Sequence, residues 1–316
     1  MKRFHSCITG LALILFLAVP TSWAAYPDKP ISMVVPYGAG GSTDVSARIV
    51  AGSMERILKQ PVLVKNVSGA GGLSGLKEVV TATPDGYTIG YLPLGPLVFQ
   101  PHMRNLPHQI DDIEFIAQDV DAPYVVLVSK QTPWNSFEDM KKDLLANPKK
   151  YRYGSSGAGS QNHIALADLF DKIGADVQHV PFPNDADMVQ SMAGGHVQIS
   201  AGPMSIVLHY DMRPLLVLDR ERLKAAPDVP TCLEKNLDVI NTHWHVLIAP
   251  QNTPKERITK LTDVLEKLSV DPDYVGKLQK VGMDPQFLPP AEIYAKAKKE
   301  LERYRGVIQQ VILKKE

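Results

Sequence analysis

Short apolar runs alternate along this chain with longer stretches in which apolar residues return every three or four positions. Ile31-Ser32-Met33-Val34-Val35 has the length and composition of a buried strand. After it, Val45, Ile49, Val50, Met54, Ile57 and Leu58 fall at helical spacing. The same alternation predicts strands over 61–67, 87–92, 113–117, 124–129, 151–155, 177–182, 197–201, 215–218 and 244–249. Helices are predicted over 45–58, 72–82, 137–146, 162–173 and 185–193, and three more over 255–268, 273–281 and 291–312. Such an order predicts an α/β fold with largely parallel sheets.

Two apolar stretches read as crossings between domains: Ala122 to Leu127, and His243 to Pro250. If both carry the chain across a cleft, one domain is 25–125 plus 247–316 and the other 126–246. A chain of 316 residues exceeds one ordinary core, which favours that division. Residues 1–24 read as a secretory leader: Lys2 and Arg3 lead, Ile8 to Val19 is a short apolar run, and Ser22-Trp23-Ala24 is a small-x-small cleavage signal. The run is too short for a good membrane span. The expected product is exported and soluble.

Charge adds little to this picture. The chain carries 34 basic and 34 acidic residues, and loss of Lys2 and Arg3 leaves a slight acidic excess. That gives no electrostatic case for nucleic acid. Without Cys7 in the leader only Cys232 remains, so no intramolecular disulfide is possible. Cys232 sits between Thr231 and Glu234, which have capping-box spacing, so it reads as a small residue in a first helical turn.

Three glycine loops carry the candidate chemistry. Pro36 to Asp44 joins the first strand to the first helix and contains Gly38, Gly40 and Gly41. Asn66 to Gly75 has the same strand-to-helix setting, as does Gly154 to His163 in the other domain. A helix start offers unpaired N–H groups and a dipole that favours negative charge, and glycine lets a ligand approach the backbone. This makes an anion site for phosphate or carboxylate. The competing reading is a tight turn capped by Ser42, Thr43 or Asp44. Loops at the carboxyl ends of strands from two domains can face one cleft.

Enzyme motifs fit poorly. The dinucleotide pattern G-x-G-x-x-G fails at Thr43 and again at Ser74. No Walker lysine follows a glycine loop. Ser74 and Lys77 match S-x-x-K without its companion motifs, and the serine elbow ends in Ala158. His243 and His245 share one face of a strand, but no cysteine or acidic partner stands beside them, so no metal is expected. His163 reads either as a base or as a residue that orders its loop.

Together these residues resemble the Bug-type periplasmic solute-binding proteins of tripartite tricarboxylate transporter systems. The resemblance rests on motifs spread over nearly the whole exported chain, in the family's order. They are Tyr26-Pro27-Asp28-Lys29-Pro30-Ile31; Pro36-Tyr37 with Gly40-Gly41 and Asp44; and Asn66 with Gly69-Ala70-Gly71-Gly72. Next come Pro84-Asp85-Gly86-Tyr87-Thr88, and Gly157-Ala158-Gly159-Ser160 with His163. Arg222 with Pro227-Asp228-Val229-Pro230-Thr231 and Glu234 follows, then Ala249-Pro250 with Thr253-Pro254.

The resemblance implies a two-lobed, type II periplasmic-binding-protein (Venus flytrap) fold without catalysis or cofactor. It implies a monomer that takes a small carboxylate and delivers it to membrane transporter subunits. Carried over position by position, the grip falls to Tyr37, Gly40, Gly41, Ser42 and Asp44 from the first domain. From the second it falls to Ser155, Ser156, Gly159, Ser160 and His163. After Val180-Pro181 this chain departs from the family: Phe182-Pro183-Asn184 stands where an aromatic, a basic residue and glycine are usual. Phe182 and Asn184 are therefore expected to border the pocket and to favour a ligand whose far end is less acidic or more apolar. The alternatives are an exported hydrolase-like enzyme using the glycine loops and His163, and a sensor partner that presents ligand to a signalling receptor.

Overall fold

A computed structural model describes residues 26–106 and 108–312; the predicted leader lies outside them. The chain builds β1 (Ile31–Val35), α1 (Ser42–Leu58), β2 (Val62–Asn66), α2 (Leu73–Val80), β3 (Thr88–Pro93), α3 (Gln100–Met103) and β4 (Ile113–Pro123). After Tyr124 it enters a second sheet through β5 (Val125–Val128). There follow α4 (Phe137–Ala146), β6 (Arg152–Ser155), α5 (Gln161–Ile173), β7 (Gln178–Pro181), α6 (Asp185–Ala193), β8 (Ile199–Gly202), α7 (Met204–Tyr210) and β9 (Arg213–Val217). It returns to the first sheet as β10 (Thr242–Pro250) and ends with α8 (Lys255–Ser269), α9 (Pro272–Lys280), β11 (Pro285–Leu288) and α10 (Pro290–Val307).

The result is two lobes, each built on one sheet. The strand orders are β11-β4-β10-β3-β1-β2 and β7-β6-β8-β5-β9. Both sheets are mixed, which corrects the expectation of largely parallel ones. β1 is parallel to β2 and β3, and β6 to β7 and β8. However, β10 runs antiparallel to β3 and β4, and β5 antiparallel to β8 and β9. The cause lies in the crossings. Strands that feed a helix point their carboxyl ends at the cleft, so a strand arriving from the cleft must run the other way.

Core placement follows the strand period of two. In β1, Met33 and Val35 pack beneath α1 and α8 with Val50, Met54, Leu261 and Leu265. Val34 points to the opposite face, among Leu76, Val79, Val246, Ile248 and Ile293. Burial on both faces is why β1 reads as an almost unbroken apolar run. In the second lobe Val126 and Val128 face one core, and Val125 and Leu127 the other. α10 ties down the return crossing: Arg303 donates to the Ile240 carbonyl at 2.6 Å, and Asn241 Nδ2 lies 3.1 Å from the Tyr304 hydroxyl. The Thr231–Glu234 capping box is present, with Thr231 N–H donating to Glu234 at 2.8 Å and Glu234 N–H to Thr231 Oγ1 at 3.1 Å. It heads a single 3-10 turn, Leu233–Lys235, with Cys232 buried behind it.

Candidate ligand-binding cleft

Each lobe sends a strand-to-helix loop toward the other. Gly41 is the N-cap of α1 and Ser160 that of α5, and neither helix has a side-chain cap. By contrast Ser136 caps α4, Asn184 caps α6 and Asp271 caps α9 through their side chains. The competing reading of the first loop, a turn capped by Ser42, Thr43 or Asp44, holds in one respect, since the Asp44 carboxylate accepts the Gly40 N–H at 2.9 Å while Gly41 itself offers no side-chain cap. The group that meets the start of α1 comes from the other lobe. Asp185 Oδ2 accepts the Ser42 hydroxyl at 2.7 Å and lies 3.4 Å from Ser42 N.

Around this contact is a small buried cavity. Tyr37, Gly41, Ser42 and Thr43 line it from the first lobe. Ser156, Gln161, Asn184 and Asp185 line it from the second, and Tyr124 and His243 from the two crossings. Tyr124 and His243 stack, with ring centroids 5.0 Å apart. A roomier recess of about 230 Å³ lies between the start of α1 and α7 of the other lobe, by Ser42, Val45, Tyr210 and Val281. Its lining is more apolar than that of the cleft cavity, on which the buried hydrogen-bonding groups converge.

Of the residues predicted for the site, Tyr37, Gly41, Ser42, Ser156 and Asn184 line the cavity. Others hold its walls. Gly40 has φ +83°, open to glycine, and donates its N–H to Asp44 at 2.9 Å. Asp44 is buried and also accepts from Asn66 Nδ2 at 2.9 Å and Arg48 Nε at 3.0 Å. These donors, led by Arg48, outweigh desolvation and keep its carboxyl below the usual range. Asn66 also donates to the Tyr37 carbonyl at 2.9 Å, which ties the second glycine loop to the first.

In the second lobe, Ser155 Oγ donates to the Gly157 carbonyl at 3.0 Å and lies 2.6 Å from His179 Nε2. Ser160 Oγ lies 2.6 Å from that same carbonyl and 2.7 Å from Asn162 Oδ1. The Gly159 N–H donates to His163 Nδ1 at 2.9 Å, so His163 orders its loop. Burial, with the neighbouring His179, pushes the His163 pKa down to about 3. Phe182 packs on the second lobe's core by Met188 and Val189.

Sequence reading missed Thr43, Tyr124, Gln161, Asp185 and His243. Tyr124 and His243 carried a usable signal, because both stand at the crossings, where a two-lobed protein places its cleft. Asp185 carried none beyond its position next to the departing segment 182–184.

Residues 46–313 match the profile of the tripartite tricarboxylate transporter family receptor. The chain belongs to this receptor family. Its relatives include a UPF0065 protein of Bordetella pertussis, 31% identical, with 98% of each chain covered. Protein BugT of the same organism is 28% identical, again over 98% of each chain. Among solved structures, a periplasmic transporter superposes with a TM-score of 0.86 at 31% identity, covering 90% of this chain and 98% of its own. The periplasmic binding protein BugD superposes with a TM-score of 0.84 at 26% identity, with the same coverage. The receptor thus has the fold of Bug-type periplasmic binding proteins, and its family and fold are those of solute-binding receptors rather than enzymes.

Proposed function

We propose that this protein is an exported, monomeric receptor that captures a small carboxylate between its lobes in the periplasm. It hands the ligand to the membrane subunits of a tripartite tricarboxylate-type transporter. The leader is cleaved near Ala24, and the lobes correspond to 25–125 plus 247–316 and to 126–246, the first lobe's sheet also taking the start of β10. The reading is carried by one observation: two helix starts without side-chain caps face one buried cavity from opposite lobes. Tyr37, Gly41, Ser42 and Ser156, which line that cavity, supply the donors. No cofactor takes part. A micromolar ligand needs about −8 kcal/mol. Hydrogen bonds to a charged group contribute about 1.5–3 kcal/mol each, so four to six suffice even after the cost of lobe closure. The enzyme alternative is weakened because its base, His163, is taken up by the Gly159 N–H.

A thermal-shift screen of the purified protein against mono-, di- and tricarboxylates, acidic amino acids, sugars and nucleotides tests this reading. A ligand at 100 times its dissociation constant stabilises the fold by about 2.7 kcal/mol. The expected result is a shift confined to acids and abolished by Gly41→Val. Gly41 has ordinary φ, and a Cβ there meets only Asp185 and Asn184 at 3.6 Å or more, so the larger side chain fills the cleft without straining the loop. A shift with nucleotides alone would sink the proposal.

A further inference from the structure

Two groups in the cavity wall, Asp185 and His243, are acceptors with no cation beside them in that wall. Asp185 is 8% exposed. Its oxygens meet the Ser42 hydroxyl and N–H, the Ser156 side chain, and Asn162 Nδ2 at 3.4 Å. All of these partners are neutral. No lysine or arginine stands among the residues that line the cavity. His243 adds a second acceptor, and its tautomer follows from the hydrogen-bond network. The Gln161 amide donates through Nε2 to the Thr242 carbonyl and to Asn241 Oδ1, both at 2.6 Å. Its Oε1 therefore faces His243 Nδ1, at 3.0 Å, and that nitrogen must carry the proton. His243 Nε2 is left as a bare lone pair. It is buried, on a residue 2% exposed, and has no hydrogen-bond partner.

We propose that this cleft selects an ammonium-bearing ligand, an amino acid-like zwitterion rather than a simple mono-, di- or tricarboxylate, with Asp185 and His243 Nε2 as the acceptors that read the ammonium. The inference rests on the carboxylate-receptor reading and sharpens it. A ligand carboxylate seated at the start of α1 lies beside the Asp185 carboxylate, and two buried like charges repel. A buried charge is stable when paired, and an ammonium between the two carboxylates pairs both. Its three N–H donors also match an anionic acceptor plus a neutral one. An analogue without the ammonium leaves both acceptors unmet, which is the strongest form of discrimination available to a small site.

The test is calorimetric titration of the purified protein with matched probes: L-aspartate against succinate, L-glutamate against glutarate, and 3-aminopropionate against propionate. At least one amine-bearing probe is expected to bind, at least tenfold more tightly than its partner. Asp185→Asn should remove that advantage by weakening the amine-bearing probe tenfold or more, without weakening the plain acid. His243→Leu should weaken the amine-bearing probe by a smaller factor. If Asp185→Asn does not fold, as judged by its melting curve, Asp185→Ser makes the same test. Plain acids binding as tightly as their amino partners, or no amine-bearing probe binding at all, would overturn the proposal. Plain-acid binding that tightens on acidification in the wild type, and loses that dependence in Asp185→Asn, would also overturn it, because Asp185 would then share a proton rather than pair an ammonium. Binding of 1,4-diaminobutane but of no acid would support the role of Asp185 and sink the carboxylate reading.

Discussion

The imidazoles of His163 and His179 stack beneath the second lobe's glycine loop, with ring centroids 3.8 Å apart. Burial holds both neutral, His163 at a pKa of about 3 and His179 at about 4. An unfolded histidine titrates near 6.5, so between these values the unfolded chain binds more protons. Stability is therefore complete above about pH 6.5 and falls as pH drops toward 4. His179 alone accounts for about 3 kcal/mol over that range. Urea unfolding at several pH values should show this slope, and His179→Gln should flatten it by about that amount. Equal slopes in the two proteins would mean that the loop does not depend on the neutral pair. Asp44 is a second residue whose work is internal. Gly40, Arg48 and Asn66 use its oxygens, so it shapes the first loop instead of facing the ligand.

At the scale of elements, the loops show why glycine is needed at particular positions. Gly71 has φ +65°, and a Cβ there would lie 2.5 Å from the Ala158 carbonyl of the opposite lobe and 2.1 Å from Gln100 Nε2. The second glycine loop is thus a surface against which the third loop closes. Gly71→Ala forces a left-handed backbone on an L-residue, at about 1–2 kcal/mol, and pushes those loops apart. Both the urea midpoint and the ligand affinity should fall. An affinity unchanged from wild type would show that closure does not need the contact. At the cleft itself the helix starts differ: α6 is capped by the Asn184 side chain, whereas α1 and α5 have no side-chain cap.

At the scale of the whole molecule, the lobes meet through an apolar seam, where Ile164 and Ala167 of α5 pack among Phe99, Tyr304 and Ile308, and through a few hydrogen bonds at the cleft. Ser42 bonds Asp185, Gln100 Nε2 donates to the Ala158 carbonyl at 2.8 Å, and the Tyr210 hydroxyl donates to the Gly40 carbonyl at 3.3 Å. Each contributes about 1 kcal/mol net. Gln100→Ala should therefore weaken ligand binding about fivefold and shift the solution ensemble toward a more open form, as read by calorimetry and small-angle scattering. Unchanged affinity and unchanged radius of gyration would rule out this bond as a closure contact.

Much of this protein was already determined by local sequence. Periodicity located β1, α1, α4, α5 and α6 because their apolar residues face cores at fixed intervals. The glycine loops and the Thr231–Glu234 box were legible because a turn or a cap is made by neighbours in the chain. The family followed from ordered short motifs. Tertiary structure alone decided the direction of β5 and β10, since strand direction depends on which side the chain enters a sheet. It alone brought Asp185 to Ser42, 143 residues away, and set the proton of His243 through Gln161, 82 residues away. Such partners are chosen by packing between lobes, on which local pattern has no hold, and they set which acceptors this cleft presents.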